Sequence, residues 1–166
     1  MIVSACRRQS EKILIFSIIN FVPKQFDKFD FCPSMGALGG IFVCWSTSYF
    51  SAITLEKQYF AMKLLLTSSN NLEAWTLVVV YGPYRQPARD EFVNGLYNLD
   101  IGDNDLRMLI GDFNFYRSFE TRNKLVGNYN DILIFNSIIS HLGLIELPIK
   151  GRSYTWSNMQ DSPLPE

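Results

Sequence analysis

Between Trp75 and Tyr81 the chain reads Trp-Thr-Leu-Val-Val-Val-Tyr, and Gly82 and Pro83 close the run at once. β-Branched and aromatic residues fit the pleated surface of a strand, and a short run with so little polar alternation belongs to a strand buried on both faces. Such a strand needs cover above and below. The chain must therefore combine a sheet with layers packed against it, which points to an α/β layered sandwich.

The flanking pattern supplies those layers. Gln9 to Asn20 suits a buried or amphipathic helix, with Ser10 placed to cap it and Pro23 closing the segment. Phe26, Phe29 and Phe31 alternate with charged residues as a half-buried strand halted by Pro33, and Gly36, Gly39 and Gly40 give a turn. Ile41 to Trp45, Tyr49 to Leu55 and Tyr59 to Leu66 are strand-length apolar pieces that together predict a meander, followed by a polar loop from Thr67 to Asn71.

Beyond the valine run, Ala88 to Leu99 carries Phe92, Leu96 and Leu99 at helical spacing, with Arg89, Asp90, Glu91 and Asn94 on a wet face. Arg107 to Ile110 predicts a strand that Gly111 breaks. A polar stretch from Arg117 to Asn130 leads into a helix over Ile132 to Leu142, with Gly143 as its stop. Ser153 to Ser157 alternates polar and aromatic residues as one more strand. At 166 residues, 48% of them hydrophobic, the chain fits one domain spanning residues 1 to 166. A chain of about that length buries about 70% of its unfolded surface.

Charge and cysteine usage narrow the function classes. A net charge of -1 and a pI near 5.8 give no global pull toward nucleic acid, so any phosphate contact must be local. Cys6, Cys32 and Cys44 form no CxxC pair, and with a single histidine they complete no metal set, which fits a reduced, intracellular setting. The apolar run Ile13 to Ile19 is far shorter than the roughly 20 residues of a membrane helix, and no small-residue cleavage pattern follows it. No membrane partner is expected.

Two strand ends carry the polar groups with most chemical potential. Leu109-Ile110-Gly111-Asp112-Phe113-Asn114 ends an apolar strand in an acid and an amide, at the kind of place where α/β sheets hold their sites. An aspartate there can orient or deprotonate a water, and an asparagine two residues on points to the same side and can bond a phosphate oxygen. The same residues equally fit an Asx-type turn in which both side chains satisfy backbone N–H groups. Tyr81 sits at the other strand end, where its O–H can stabilise charge on a phosphoryl oxygen or serve structure alone. Trp156, within Gly151 to Asn158, fits either a groove wall or the core, and Arg117, Arg122 and Lys124 fit either a phosphate-contacting rim or a solvated loop.

Taken in order, Gly39-Gly40-Ile41, Tyr81-Gly82-Pro83, Gly111-Asp112-Phe113-Asn114 and Ser153-Tyr154-Thr155-Trp156 resemble the endonuclease/exonuclease/phosphatase superfamily, with wording closest to plant LINE-type non-LTR retrotransposon endonuclease domains. The resemblance runs from about Phe26 to the C-terminus. It implies a DNase I-like four-layer sandwich of two mixed β-sheets flanked by helices, acting with Mg²⁺ or Mn²⁺ on DNA phosphodiester bonds, with a nuclear location. By the same resemblance Tyr81 is the tyrosine near the scissile phosphate, Asp112 the aspartate that positions or activates water, and Asn114 the asparagine that holds the phosphate. Trp156 is then the groove-side aromatic, with Arg117, Arg122 and Lys124 as nucleic-acid-binding residues.

The departures from that pattern set the expected activity. Where the family has a metal-binding glutamate the chain reads Ser4-Ala5-Cys6-Arg7-Arg8, so no metal ligand is expected there. The sequence ends at Glu166, ahead of the family's Leu-Asp and Ser-Asp-His motifs, and His141 matches no catalytic position and reads as a surface or partly packed residue. The leading expectation is an incomplete, retrotransposon-derived endonuclease-like domain with little or no hydrolytic activity. The alternatives are a residual nucleic-acid- or protein-binding module, and a phosphodiesterase completed by a partner or a neighbouring reading frame.

Overall fold

A computed structural model describes residues 2–6, 22–34, 39–101, 106–119 and 128–147. The helix expected over Gln9 to Asn20 and the strand expected over Ser153 to Ser157 lie outside the described residues. The chain forms two compact units, Met1–Phe92 with Asp100–Asn114, and Val93–Leu99 with Phe115–Glu166. The architecture is mixed α and β, with two sheets and two helices among the described residues.

The first unit is built on the two sheets. Strands β1 (Ile2–Cys6), β2 (Lys28–Cys32) and β3 (Gly40–Trp45) form an antiparallel sheet in the order β1-β3-β2, with Ile2 opposite Cys44 and Phe29 also opposite Cys44 on the other side. Strands β4 (Phe50–Lys57), β5 (Ala61–Ser68), β6 (Ala74–Tyr81) and β7 (Arg107–Asp112) form the second sheet in chain order. β4 and β5 pair antiparallel as the expected meander requires and β6 continues it, whereas β6 and β7 run parallel and are joined through helix α1 (Ala88–Tyr97). A parallel pair cannot be closed by a tight turn, and the helix supplies the crossover.

β3 departs from the expectation that it opens the same meander. It is the centre of the first sheet, because the chain turns over Ser46 to Tyr49 and leaves it. That turn is fixed by Tyr49 and Phe50 N–H groups donating to the Ser46 carbonyl at 3.0 and 3.1 Å, and by Thr47 donating N–H and hydroxyl to the Asp27 carboxylate.

The alternation of each strand explains how the sheets pack. Ile41, Val43 and Trp45 of β3, Met62, Leu64 and Leu66 of β5, and Leu77 and Val79 of β6 form one buried core between the sheets. Burying a side chain of this size contributes about 1.5–3 kcal/mol, so this cluster dominates the unit's stability. On the other face of β6, Thr76, Val78 and Val80 are also buried, as the valine run requires. Phe92 of α1 meets Phe60 edge-on at 5.1 Å, and the Lys63 ammonium pairs with Asp100 at 2.9 Å. Among the described residues β4 is the edge of its sheet, and it leaves Ile53 and Leu55 exposed, as the turn before it leaves Tyr49.

The two sheets are also tied by polar contacts along β2 and β4. Asp30 accepts from Thr54 Oγ1 and Lys57 Nζ, both at 2.5 Å, and Lys57 reaches the Phe31 carbonyl at 2.9 Å. Burial raises the Asp30 carboxyl pKa, and the hydrogen bonds from Lys57, Thr54 and the Phe31 N–H more than offset that, leaving it below the ordinary value. Cys32 donates its thiol to the Gln58 carbonyl at 3.4 Å, and burial pushes that thiol pKa up, so the group stays protonated.

In the second unit helix α2 runs from Tyr129 to His141 and buries Ile132, Phe135 and Ile138. It begins three residues earlier than its apolar period suggests, because the Asn128 side chain accepts the Asn130 N–H and caps the first turn. Gly143 ends it as expected, at φ 61°, with the Gly143 and Leu144 N–H groups returning to the Ser140 and Ile139 carbonyls. Phe115 stacks on Phe135 at 5.5 Å, and Tyr97 stacks on His141 at 4.0 Å. Among the described residues no helix is long and apolar enough to cross a membrane.

Candidate functional site

The parallel ladder between β6 and β7 brings the two polar strand ends together. Leu77 lies opposite Met108, Val79 opposite Ile110 and Tyr81 opposite Asp112, so Tyr81 and Asp112 end the row of paired residues side by side. The earlier members of the row pack into the core between the sheets, and Tyr81 packs against the same core. Asp112 is exposed at the rim.

Gly111 has a different role from the strand break expected of it. β7 continues through it to Asp112, with Gly111 at φ 137° and a Cβ at that position 1.9 Å from the Val80 carbonyl oxygen. Only glycine accepts both the dihedral and the approach of the neighbouring strand. The next contact is similar: a Cβ on Gly82 would fall 2.2 Å from the Phe113 carbonyl oxygen. The backbones beyond the strand ends are therefore in direct contact, and the Gly82 N–H donates to the Asp112 carbonyl at 2.6 Å.

Asn114 completes the join. Its φ is 52°, outside the strand region, so its direction is set by the turn and not by alternation from Asp112. Its N–H donates to Asp112 Oδ1 at 3.0 Å, which is the Asx-type turn, and its side-chain amide donates to the Gly82 carbonyl at 2.7 Å. These bonds use one of the two Asn114 amide hydrogens and one of the two Asp112 carboxylate oxygens. Among the described residues no other bond engages the second amide hydrogen, the Oδ2 atom of Asp112 or the Tyr81 hydroxyl, and each can meet a ligand or water.

Arg89, expected on a wet helix face, belongs to this join. From the first turn of α1 its Nη1 donates to the Asn114 carbonyl at 2.9 Å. The signal for it was electrostatic: a cation beside a helix N-terminus opposes the macrodipole and needs a compensating acceptor.

Of the expected nucleic-acid-binding residues, Arg122, Lys124 and Trp156 lie outside the described residues. Arg117 belongs to the second unit, where its Nε donates to Asn136 Oδ1 and its Nη1 to Glu146 Oε2, both at 2.9 Å. Asn136 returns the bond to the Arg117 carbonyl at 2.9 Å. Its guanidinium is engaged within the chain.

The described residues hold no group of three or more His, Cys, Asp or Glu side chains arranged for a metal ion. The rim itself supplies one carboxylate, one amide and one phenol, a set that does not by itself make the oxygen cage of Mg²⁺ or Mn²⁺. What the rim can do chemically is accept a proton or orient a water at Asp112 and donate hydrogen bonds from Tyr81 and Asn114. Neither models of protein families nor the curated proteins give a match to this chain.

Proposed function

We propose that the chain is a DNase I-like domain of the endonuclease/exonuclease/phosphatase type, similar to plant LINE-type retrotransposon endonucleases, and that it hydrolyses DNA poorly or not at all. The observation that carries this is the pairing of Tyr81 with Asp112 across the parallel β6-β7 ladder, with Asn114 bonded to the Gly82 carbonyl beside them. The four-layer sandwich is part of the same proposal, supported by two sheets that share one core.

On this basis a phosphate of duplex DNA lies at the rim. Asp112 orients the attacking water and takes its proton, Tyr81 O–H donates to a non-bridging oxygen as charge develops, and the second amide hydrogen of Asn114 holds the phosphate. The leaving O3′ needs a proton or a cation, and the rim residues described above include neither a histidine nor a second acid to supply it. His141 is in the second unit, stacked on Tyr97. Loss of one acid or base costs on the order of 10² to 10⁴ in rate, so residual turnover is small. Binding of DNA is weak and indifferent to sequence, consistent with the net charge of -1.

The test is nicking of supercoiled plasmid with Mg²⁺ or Mn²⁺. The chain and its Asp112→Ala variant should nick at equal, background rates. Metal-dependent nicking that Asp112→Ala abolishes would overturn the loss of catalysis, and an experimental structure with Tyr81 and Asp112 on opposite faces would overturn the family reading.

A further inference from the structure

We propose that Arg89 is a positioning residue for Asn114, holding the rim amide in the orientation that receives phosphate; this rests on the phosphate reading of the rim given above. Three hydrogen bonds define Asn114: its N–H to Asp112 Oδ1 at 3.0 Å, its side-chain amide to the Gly82 carbonyl at 2.7 Å, and its carbonyl from Arg89 Nη1 at 2.9 Å. The first two are made by the end of β7 and by the residue that follows β6. The third comes from α1, and it is the one that ties the left-handed Asn114 backbone to a separate element.

The direction of a carbonyl in the left-handed region differs from that in the helical and extended regions, so a donor fixed on that carbonyl selects the left-handed state. Arg89 is half-buried, and a guanidinium taken partly out of water holds its acceptors firmly because losing them leaves a charge uncompensated. Without it, Asn114 relaxes toward the commoner regions and its amide leaves the Gly82 carbonyl. The phosphate donor is lost although Arg89 itself touches no phosphate.

Salt dependence separates this from direct contact. A residue that neutralises a DNA phosphate contributes about -0.9 to the slope of log affinity against log salt, whereas a positioning residue changes affinity at constant slope. With a fluorescein-labelled duplex oligonucleotide, Arg89→Ala should weaken binding about tenfold with the slope unchanged. Arg89→Lys, which keeps one donor, should recover most of the loss, and Arg89→Ala combined with Asn114→Ala should be no weaker than Asn114→Ala alone. A slope that falls by about 0.9 in Arg89→Ala, or losses that add in the double variant, would overturn the proposal.

Amide hydrogen exchange tests the coupling without DNA. Arg89→Ala should speed exchange at Gly82 and Asn114 and Arg89→Lys should not; unchanged exchange at both amides in Arg89→Ala overturns the positioning role. Faster exchange in a chain that binds no DNA at low salt would instead overturn the phosphate reading of the rim and leave the Arg89–Asn114 coupling standing.

Discussion

The Asn114 side chain bonds the Gly82 carbonyl at 2.7 Å, so a single amide fastens the chain beyond β7 to the chain beyond β6. Replacing Asn114 with Ala removes that hydrogen bond, worth about 1 kcal/mol, and puts at φ 52° a residue without the short polar side chain that lets asparagine tolerate the left-handed region, at a further cost of up to about 1 kcal/mol. The urea midpoint of Asn114→Ala should drop accordingly. Asn114→Gly tolerates φ 52° and should lose less; equal losses in the two variants would show that the backbone conformation contributes nothing.

Gly111→Ala should be far more damaging. The added Cβ would lie 1.9 Å from the Val80 carbonyl oxygen, and φ 137° is closed to alanine. A loss of more than about 3 kcal/mol is expected, visible as a collapse of the thermal transition. A variant within about 1 kcal/mol of the parent would contradict the observed approach of β6 to β7.

Asp30 sets an acid limit on the first unit. Its carboxyl pKa is held below the ordinary 3.8 in the folded chain. A lowered folded pKa means that its contribution is fully present above the unfolded value and is lost as pH falls through the folded value. Stability should therefore decline below about pH 4, and Asp30→Asn should be less stable at neutral pH with a flatter acid limb. Denaturant unfolding followed across that range checks both signs, and parallel curves for the two proteins would remove Asp30 from the account.

Arg117 should prove structural. Because its guanidinium bonds Asn136 and Glu146, Arg117→Ala should destabilise the second unit by about 1 kcal/mol and leave the salt slope of any DNA binding unchanged. A slope reduced by about 0.9 in the single variant would show that the residue contacts phosphate in the complex despite its internal bonds.

Much of the fold was legible because periodicity carries it. Met62, Leu64 and Leu66 alternate into the core, and Ile132, Phe135 and Ile138 mark the buried stripe of α2. What periodicity does not encode is which strand joins which sheet: Ile41 to Trp45 reads as one more piece of a meander, and only the turn after Ser46 sends the chain to another sheet. Gly111 differs from its expected role for a related reason. A glycine in isolation signals a break, and the need for it inside β7 comes from a neighbouring strand that the local sequence cannot announce. At the candidate site Tyr81, Asp112 and Asn114 were visible as strand-end groups, whereas the Asn114–Gly82 bond and the Arg89 contact depend on register and on helix placement.

The parallel β6-β7 pairing has a consequence for the order of events in folding. The β4-β5-β6 hairpins join neighbours in sequence and can form early, while Tyr81 meets Asp112 only after α1 and the segment beyond it have closed a long loop. The rim thus closes the longest loop of the second sheet. A ribosome that has released the chain only as far as α1 has already delivered the meander and Tyr81, yet neither Asp112 nor Asn114.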